Sequence, residues 1–166
     1  VAAAVVGLAI GLAACSSGGG PPAAGTSSPT AAASGFLQDL ASGNVSGACG
    51  YALPSQQAAC NSDFSKAVVK ITGLGIGNDI VVGKEALVAV EGTACFGLTT
   101  ASTECLTNTN ANAGLPTAAN FASAYAAKFS SSNTYLEALY EQNGQWYVVD
   151  APPTGASGGS GTTPSS

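Results

Sequence analysis

The chain opens on an uncharged run, Val1 to Ala14, whose large apolar residues are Val5, Val6, Leu8, Ile10 and Leu12. Such a run is short of the roughly 18 residues a membrane-crossing helix needs, and has the length and small-residue exit of a signal-peptide core. Ser16 to Ala33 then reads SSGGGPPAAGTSSPTAAA. That density of Gly, Ser, Thr and Pro buries too little surface to offset ordering entropy, so residues 15–33 are expected to form a flexible tether. From Ser34 the pattern becomes periodic. Phe36, Leu37 and Leu40 share one helical face, and Gly43-Asn44 follows as a stop. A second short helix is expected over 45–53, halted by Pro54, and a third over 56–60 with Ser55 as its cap.

The period then changes. Residues 68–82 and 86–96 are apolar and rich in β-branched side chains, which predicts two strands joined by a type II′ turn at Gly83-Lys84. Gly73, Gly75 and Gly77 read as bends or bulges in a curved first strand. On the second strand Ala86, Val88, Val90, Ala94 and Phe96 form the expected core row, with Leu87, Ala89, Glu91, Thr93 and Cys95 as a mixed row behind it. Phe96 to Pro116 is polar and predicts a long loop. Thr117 then caps a helix on which Phe121, Tyr125 and Phe129 fall four apart on one stripe. The clearest signal is the last hairpin, with strands over 134–141 and 146–150 around the type I′ dipeptide Asn143-Gly144. Setting Gln142 opposite Gln145 pairs Tyr140 with Tyr147 on one side, and Leu139 with Val148 and Glu141 with Trp146 on the other. The same register sets Glu137 opposite Asp150, an unfavourable like-charge pair unless the strand end splays. The expected fold is α+β: N-terminal helices packed on a strongly curved antiparallel sheet, one domain over 34–151, with a disordered tail over 152–166 and the tether as the other flank.

Composition narrows the chemistry. Hydrophobic residues make up 46% of the chain and charged ones only 8%, against about 25% charged in ordinary domains. Four Lys, no Arg and no His stand against nine acids, for a net charge of −5. Nothing here neutralises a phosphate backbone, so no nucleic-acid partner is expected. Without His there is no Ser-His-Asp or Cys-His relay and no imidazole metal site. No acid cluster has calcium-loop spacing, so neither metal nor cofactor is expected. Gly73-Leu74-Gly75-Ile76-Gly77 has no helix after it and is no phosphate cradle. Setting Cys15 aside leaves Cys49, Cys60, Cys95 and Cys105, spaced C-x10-C and C-x9-C without the close pairs of a zinc site. In an oxidising exterior they pair, and of the three connectivities the sequential one, Cys49–Cys60 with Cys95–Cys105, is preferred.

Two resemblances give these patterns a context. Leu12-Ala13-Ala14-Cys15 at the end of the apolar run resembles the lipobox of bacterial lipoproteins. It implies cleavage after Ala14, diacylglycerol and palmitate on Cys15, and a protein anchored by lipid to the outer face of the cell membrane. The chain opens at Val1 without the basic residues that precede the run in that family. The segment Phe36-Leu37-Gln38-Asp39-Leu40-Ala41-Ser42-Gly43-Asn44, then Ala48-Cys49, and the closing Asn143-Gly144-Gln145-Trp146-Tyr147-Val148-Val149 are similar to the NTF2-like superfamily. More narrowly, they resemble its small lipid-anchored actinobacterial members of unknown function. That resemblance covers about 110 residues and implies a bent sheet wrapping helices into a cone with a pocket at its open end. Catalytic members use Asp, Tyr and Arg, sometimes His, inside the cone.

This chain has neither Arg nor His, which argues against catalysis. The expected function is a non-catalytic binding module for a small apolar or amphipathic ligand, with Phe121, Tyr125, Phe129, Tyr140 and Tyr147 as pocket residues. A second reading is an interaction module that docks an envelope protein or a second copy of the chain through a sheet face carrying Leu139 and Trp146. A third is an isomerase or hydratase, using an acid such as Asp39 or Glu91 with Tyr125 or Tyr140 to abstract a proton.

Overall fold

A computed structural model describes residues 25–98, 103–110, 112, 114–130 and 135–153. Its first helix, α1 (Pro29–Ala41), begins before the large apolar periodicity does. Ser28 caps it by accepting from the Ala31 N–H at 3.2 Å, and Pro29 fills the first turn, where a missing N–H costs nothing. Ala32 and Ala33 are buried beside Phe36, Leu37 and Leu40. Upstream, Thr26 and Trp146 exchange backbone hydrogen bonds of 3.1 and 2.8 Å. The expected tether is therefore corrected at its end, because residues 26–33 belong to the folded body. Alanines that read as linker are the strongest helix formers, and their small side chains let α1 lie close to the sheet.

The next two helices are α2 (Val45–Gly50) and α3 (Gln57–Phe64). Asn44 caps α2 by accepting from the Gly47 N–H at 3.1 Å. The helix stops short of the expected Leu53 because Ala52 bridges Val148, and the Leu53 N–H donates to the Val148 carbonyl at 3.0 Å. Ser55 is not the cap of α3; Gln56 holds that position, and the helix continues beyond Cys60 to Phe64. The Gln56 amide ties down the chain after the last strand, donating to the Ala151 carbonyl at 2.9 Å and accepting from the Asp150 N–H at 3.2 Å. A disulfide between Cys49 and Cys60 joins α2 to α3.

The strands β1 (Val68–Val82), β2 (Glu85–Gly97), β3 (Glu104–Asn108), β4 (Leu136–Gln142) and β5 (Gln145–Val148) form one antiparallel sheet. Its order is β1-β2-β4-β5, and β3 pairs with β2 at residues 92–96, beyond the stretch that pairs with β4. The strand β3 corrects the expected polar loop. Its Thr- and Asn-bearing sequence carries no strand signal; the ladder to β2 and the disulfide between the facing residues Cys95 and Cys105 hold it in place. Gly83 in its turn has φ 63°, and Asn143 and Gly144 have φ 55° and 77°, as the II′ and I′ turns require. The final hairpin has the expected register, Gln142 to Gln145, Glu141 to Trp146, Tyr140 to Tyr147 and Leu139 to Val148. Its ladder ends at Leu139–Val148 and the Asp150 N–H turns to Gln56 Oε1, so no ladder pair sets Asp150 opposite Glu137.

Curvature comes from β1. Between Thr72 and Gly75, and again between Ile76 and Asp79, the register slips by one residue, leaving Gly73-Leu74 and Gly77-Asn78 as bulges. Opposite the first of these, Gly92 has φ 125°, and a Cβ there would meet the carbonyl oxygens of Gly73 and Thr72 at 2.9 Å. The two bulges bend the sheet into a half-barrel around the N-terminal helices, a cone-like α+β fold.

Both faces of the sheet are covered at its centre. On one face Ala86 and Val88 of β2, Leu139 of β4, and Trp146 and Val148 of β5 pack with α1, α2 and Cys60 of α3. On the other, Leu87, Ala89, Leu136, Ala138, Tyr147 and Val149 pack with Leu53 and with Phe121 and Tyr125 of α4 (Phe121–Lys128). The first half of the mixed row on β2 is thus core, with Leu87 and Ala89 at 0% exposure. Thr117 precedes a short 3-10 turn ahead of α4 and makes no side-chain cap.

Candidate functional site

The structure brings Phe121, Tyr125, Phe129, Tyr140 and Tyr147 together on the α4 face of the sheet. The Phe121 and Tyr125 rings stack at 5.6 Å, and Phe129 meets Tyr125 edge-on at 5.2 Å. The Tyr125 hydroxyl donates to the Leu139 carbonyl at 3.2 Å, and that of Tyr147 to Gln145 Oε1 at 3.3 Å. The α4 stripe, expected as a pocket wall, thus has its three rings in contact with one another, with Tyr147 and Tyr140 in the same apolar cluster.

Leu139 and Trp146, expected on an outer docking face, are also buried, at 0% and 9% exposure, beneath α1. The amphipathic look of that face came from Glu141 at the hairpin tip, where the strands run past the edge of the helix layer. Asp39 accepts from Asn44 Nδ2 at 3.1 Å, away from the aromatic cluster. The carboxyl set against the tyrosines is Glu85, whose residue faces Tyr140 across β2 and β4. Burial lifts the Glu85 carboxyl above the usual carboxylate range. Burial also pushes the Tyr125 hydroxyl up, reinforced by the charge of Glu85 and by Tyr140. Sequence reasoning missed Glu85 because its tyrosine neighbours arrive only through the long-range pairing of β2 with β4.

The inner, helix-bearing face is less completely filled where it extends past α1. There Ile71 and Leu74 of β1 and Val90 and Ala94 of β2 enclose, with Leu37 of α1 and Tyr135, a cavity of about 30 Å³. Val90 donates its N–H to the Tyr135 carbonyl at 2.9 Å, which closes one side of this trough. Leu106 of β3 continues the row beyond Ala94, as its partner in the ladder. All of these β-strand residues are half-buried. Gly92 forms the floor, where its lack of a side chain lets the bulged β1 approach. A second cavity of about 20 Å³ lies between Phe36, Phe64, Cys60 and Val148.

Cys15 and the proposed signal segment lie outside the described residues. Among the described residues no helix is long and apolar enough to cross a membrane, and no group of three or more His, Cys, Asp or Glu is placed to hold a metal. The chain matches no family model, no curated protein and no solved structure.

Proposed function

We propose that this chain is a non-catalytic binding module, held on the outer face of the cell membrane by a lipid on Cys15. It takes a small apolar or amphipathic ligand in the trough between α1 and the curved ends of β1 and β2. The observation that carries this reading is the half-buried apolar row Ile71, Leu74, Val90 and Ala94, on a face otherwise closed by helices. Apolar side chains held at a concave surface lose less water-ordered area than they would in a core, and a ligand recovers it. At about 30 Å³ the cavity holds little more than a water, so ligand entry requires α1 and the bulged segment of β1 to part. The helix-lined half-barrel and the sequence likeness together support an NTF2-like relationship, with the binding site at the open end of the cone.

The test is native mass spectrometry of the full chain prepared unreduced from its own host, beside the Ala94→Phe variant, whose larger side chain fills the cavity. A bound mass on the wild-type chain, lost on denaturation and absent from Ala94→Phe, is the expected result. An unliganded wild-type spectrum with no uptake of an added apolar fluorescent probe overturns the reading.

A further inference from the structure

The longest strand of the sheet, β1, is also its outermost, and along its 15 residues only β2 pairs with it among the described residues. The opposite end of the sheet is closed, since Thr26 and Ala52 bridge to Trp146 and Val148 of β5. A long free edge is a template for another strand. The pattern of β1 says which one fits. Written about Gly75, the strand is partly palindromic: Leu74 and Ile76 flank the centre, then Gly73 and Gly77, then Thr72 and Asn78, and Val68-Val69 at one end answers Val81-Val82 at the other, with Lys70 against Ile80 and Ile71 against Asp79 as the exceptions.

We propose that β1 pairs antiparallel with β1 of a second copy of this chain about a two-fold axis at Gly75, joining the two sheets into one. A two-fold interface needs one surface that is complementary to itself, and β1 has that property in two ways. First, the pairing sets Gly73 of one copy against Gly77 of the other, so the two bulged regions lie side by side and bend together. Second, the faces match. Val69 and Val81 pair with Phe96 and Ala86 and so share the α1 side, whereas Val68 and Val82 pair with Gly97 and Glu85 on the other. Each copy's Val81 and Val82, exposed at 46% and 40%, thereby meet Val69 and Val68 of the other. The two charges on β1 take no part in this match: Lys70 pairs with Cys95 and Asp79 with Val88, so they lie on opposite faces of the sheet.

The proposal does not rest on ligand binding: pairing uses the outer backbone edge of β1, although Ile71 and Leu74 of the same strand line the trough. Its test uses the full chain carrying Cys15→Ser, so that neither a lipid nor its thiol drives association. Sedimentation velocity should give a concentration-dependent dimer. Gly75→Cys puts two thiols on the axis and should yield a reducible covalent dimer on mild oxidation, whereas Leu98→Cys, on an exposed residue after β2, should not. A chain that stays monomeric at all concentrations overturns the proposal. So does a dimer in which Gly75→Cys cross-links no better than Leu98→Cys.

Discussion

Glu85 shows how one residue's position can make stability depend on pH. Its carboxyl sits partly buried opposite Tyr140 and near Tyr125, and burial raises its folded-state pKa above the unfolded value of ~4.3. A raised carboxyl pKa contributes stability that is fully present below the unfolded pKa and is lost as pH rises through the folded one. Glu85→Gln removes that loss. The variant should therefore exceed the wild-type chain in stability at pH 7 by no more than ~0.5 kcal/mol, because solvent still reaches the group. The two should converge in acid, as read by urea unfolding across pH. Glu85 itself was visible in the sequence as one of nine acids. What set it apart from Asp39 and Glu91 was invisible, because a strand some fifty residues later supplies its neighbours.

Among the elements, α1 decides the meaning of the last hairpin. The sequence pattern sorts Leu139, Trp146 and Val148 correctly onto one side and Tyr140 and Tyr147 onto the other, but cannot say which side a helix covers. Since α1 covers the first, Trp146→Ala should act as a core truncation and cost ~3–5 kcal/mol in chemical denaturation, with no loss of a docking surface. The strand β3 is the converse case. Its five residues rest on the ladder to β2, the 2.9 Å contact between the Thr93 and Thr107 hydroxyls, Asn108 donating to the Val90 carbonyl, and the Cys95–Cys105 bond. Replacing both cysteines by Ala should cost at most ~2–3 kcal/mol and raise amide exchange over 104–108 far more than over β4. The pairing Cys95–Cys105 was the preferred one of three open connectivities; that it would lock a strand could not be read, since Thr and Asn in this segment signal a turn as readily as an edge.

For the molecule as a whole, the folded body starts earlier in the chain than composition indicated, and this would shorten the reach of the anchor proposed at Cys15. With Thr26 paired to Trp146, about ten residues separate Cys15 from the folded body. Ten residues span at most ~35 Å however they are arranged. A lipid on Cys15 would hold the domain close against the bilayer. Cys15→Ala should move the protein from the membrane fraction to the supernatant in cell fractionation, and retention of the variant would rule out that anchor.

Local chemistry accounts for what the sequence by itself determined. Period, turn dipeptides and cysteine spacing are short-range signals, and they were enough for the α+β class, a bulged first strand paired with the second, both hairpin turns and the final register, and they favoured the disulfide pairing that the structure has. Only the tertiary structure decided which of two equally apolar faces each helix covers, that Ala32 and Ala33 belong to a helix, and that the α4 aromatics join Tyr140 and Tyr147 in one cluster. Those outcomes depend on contacts between segments far apart in the chain, where burial of the whole surface outweighs the propensity of any one stretch.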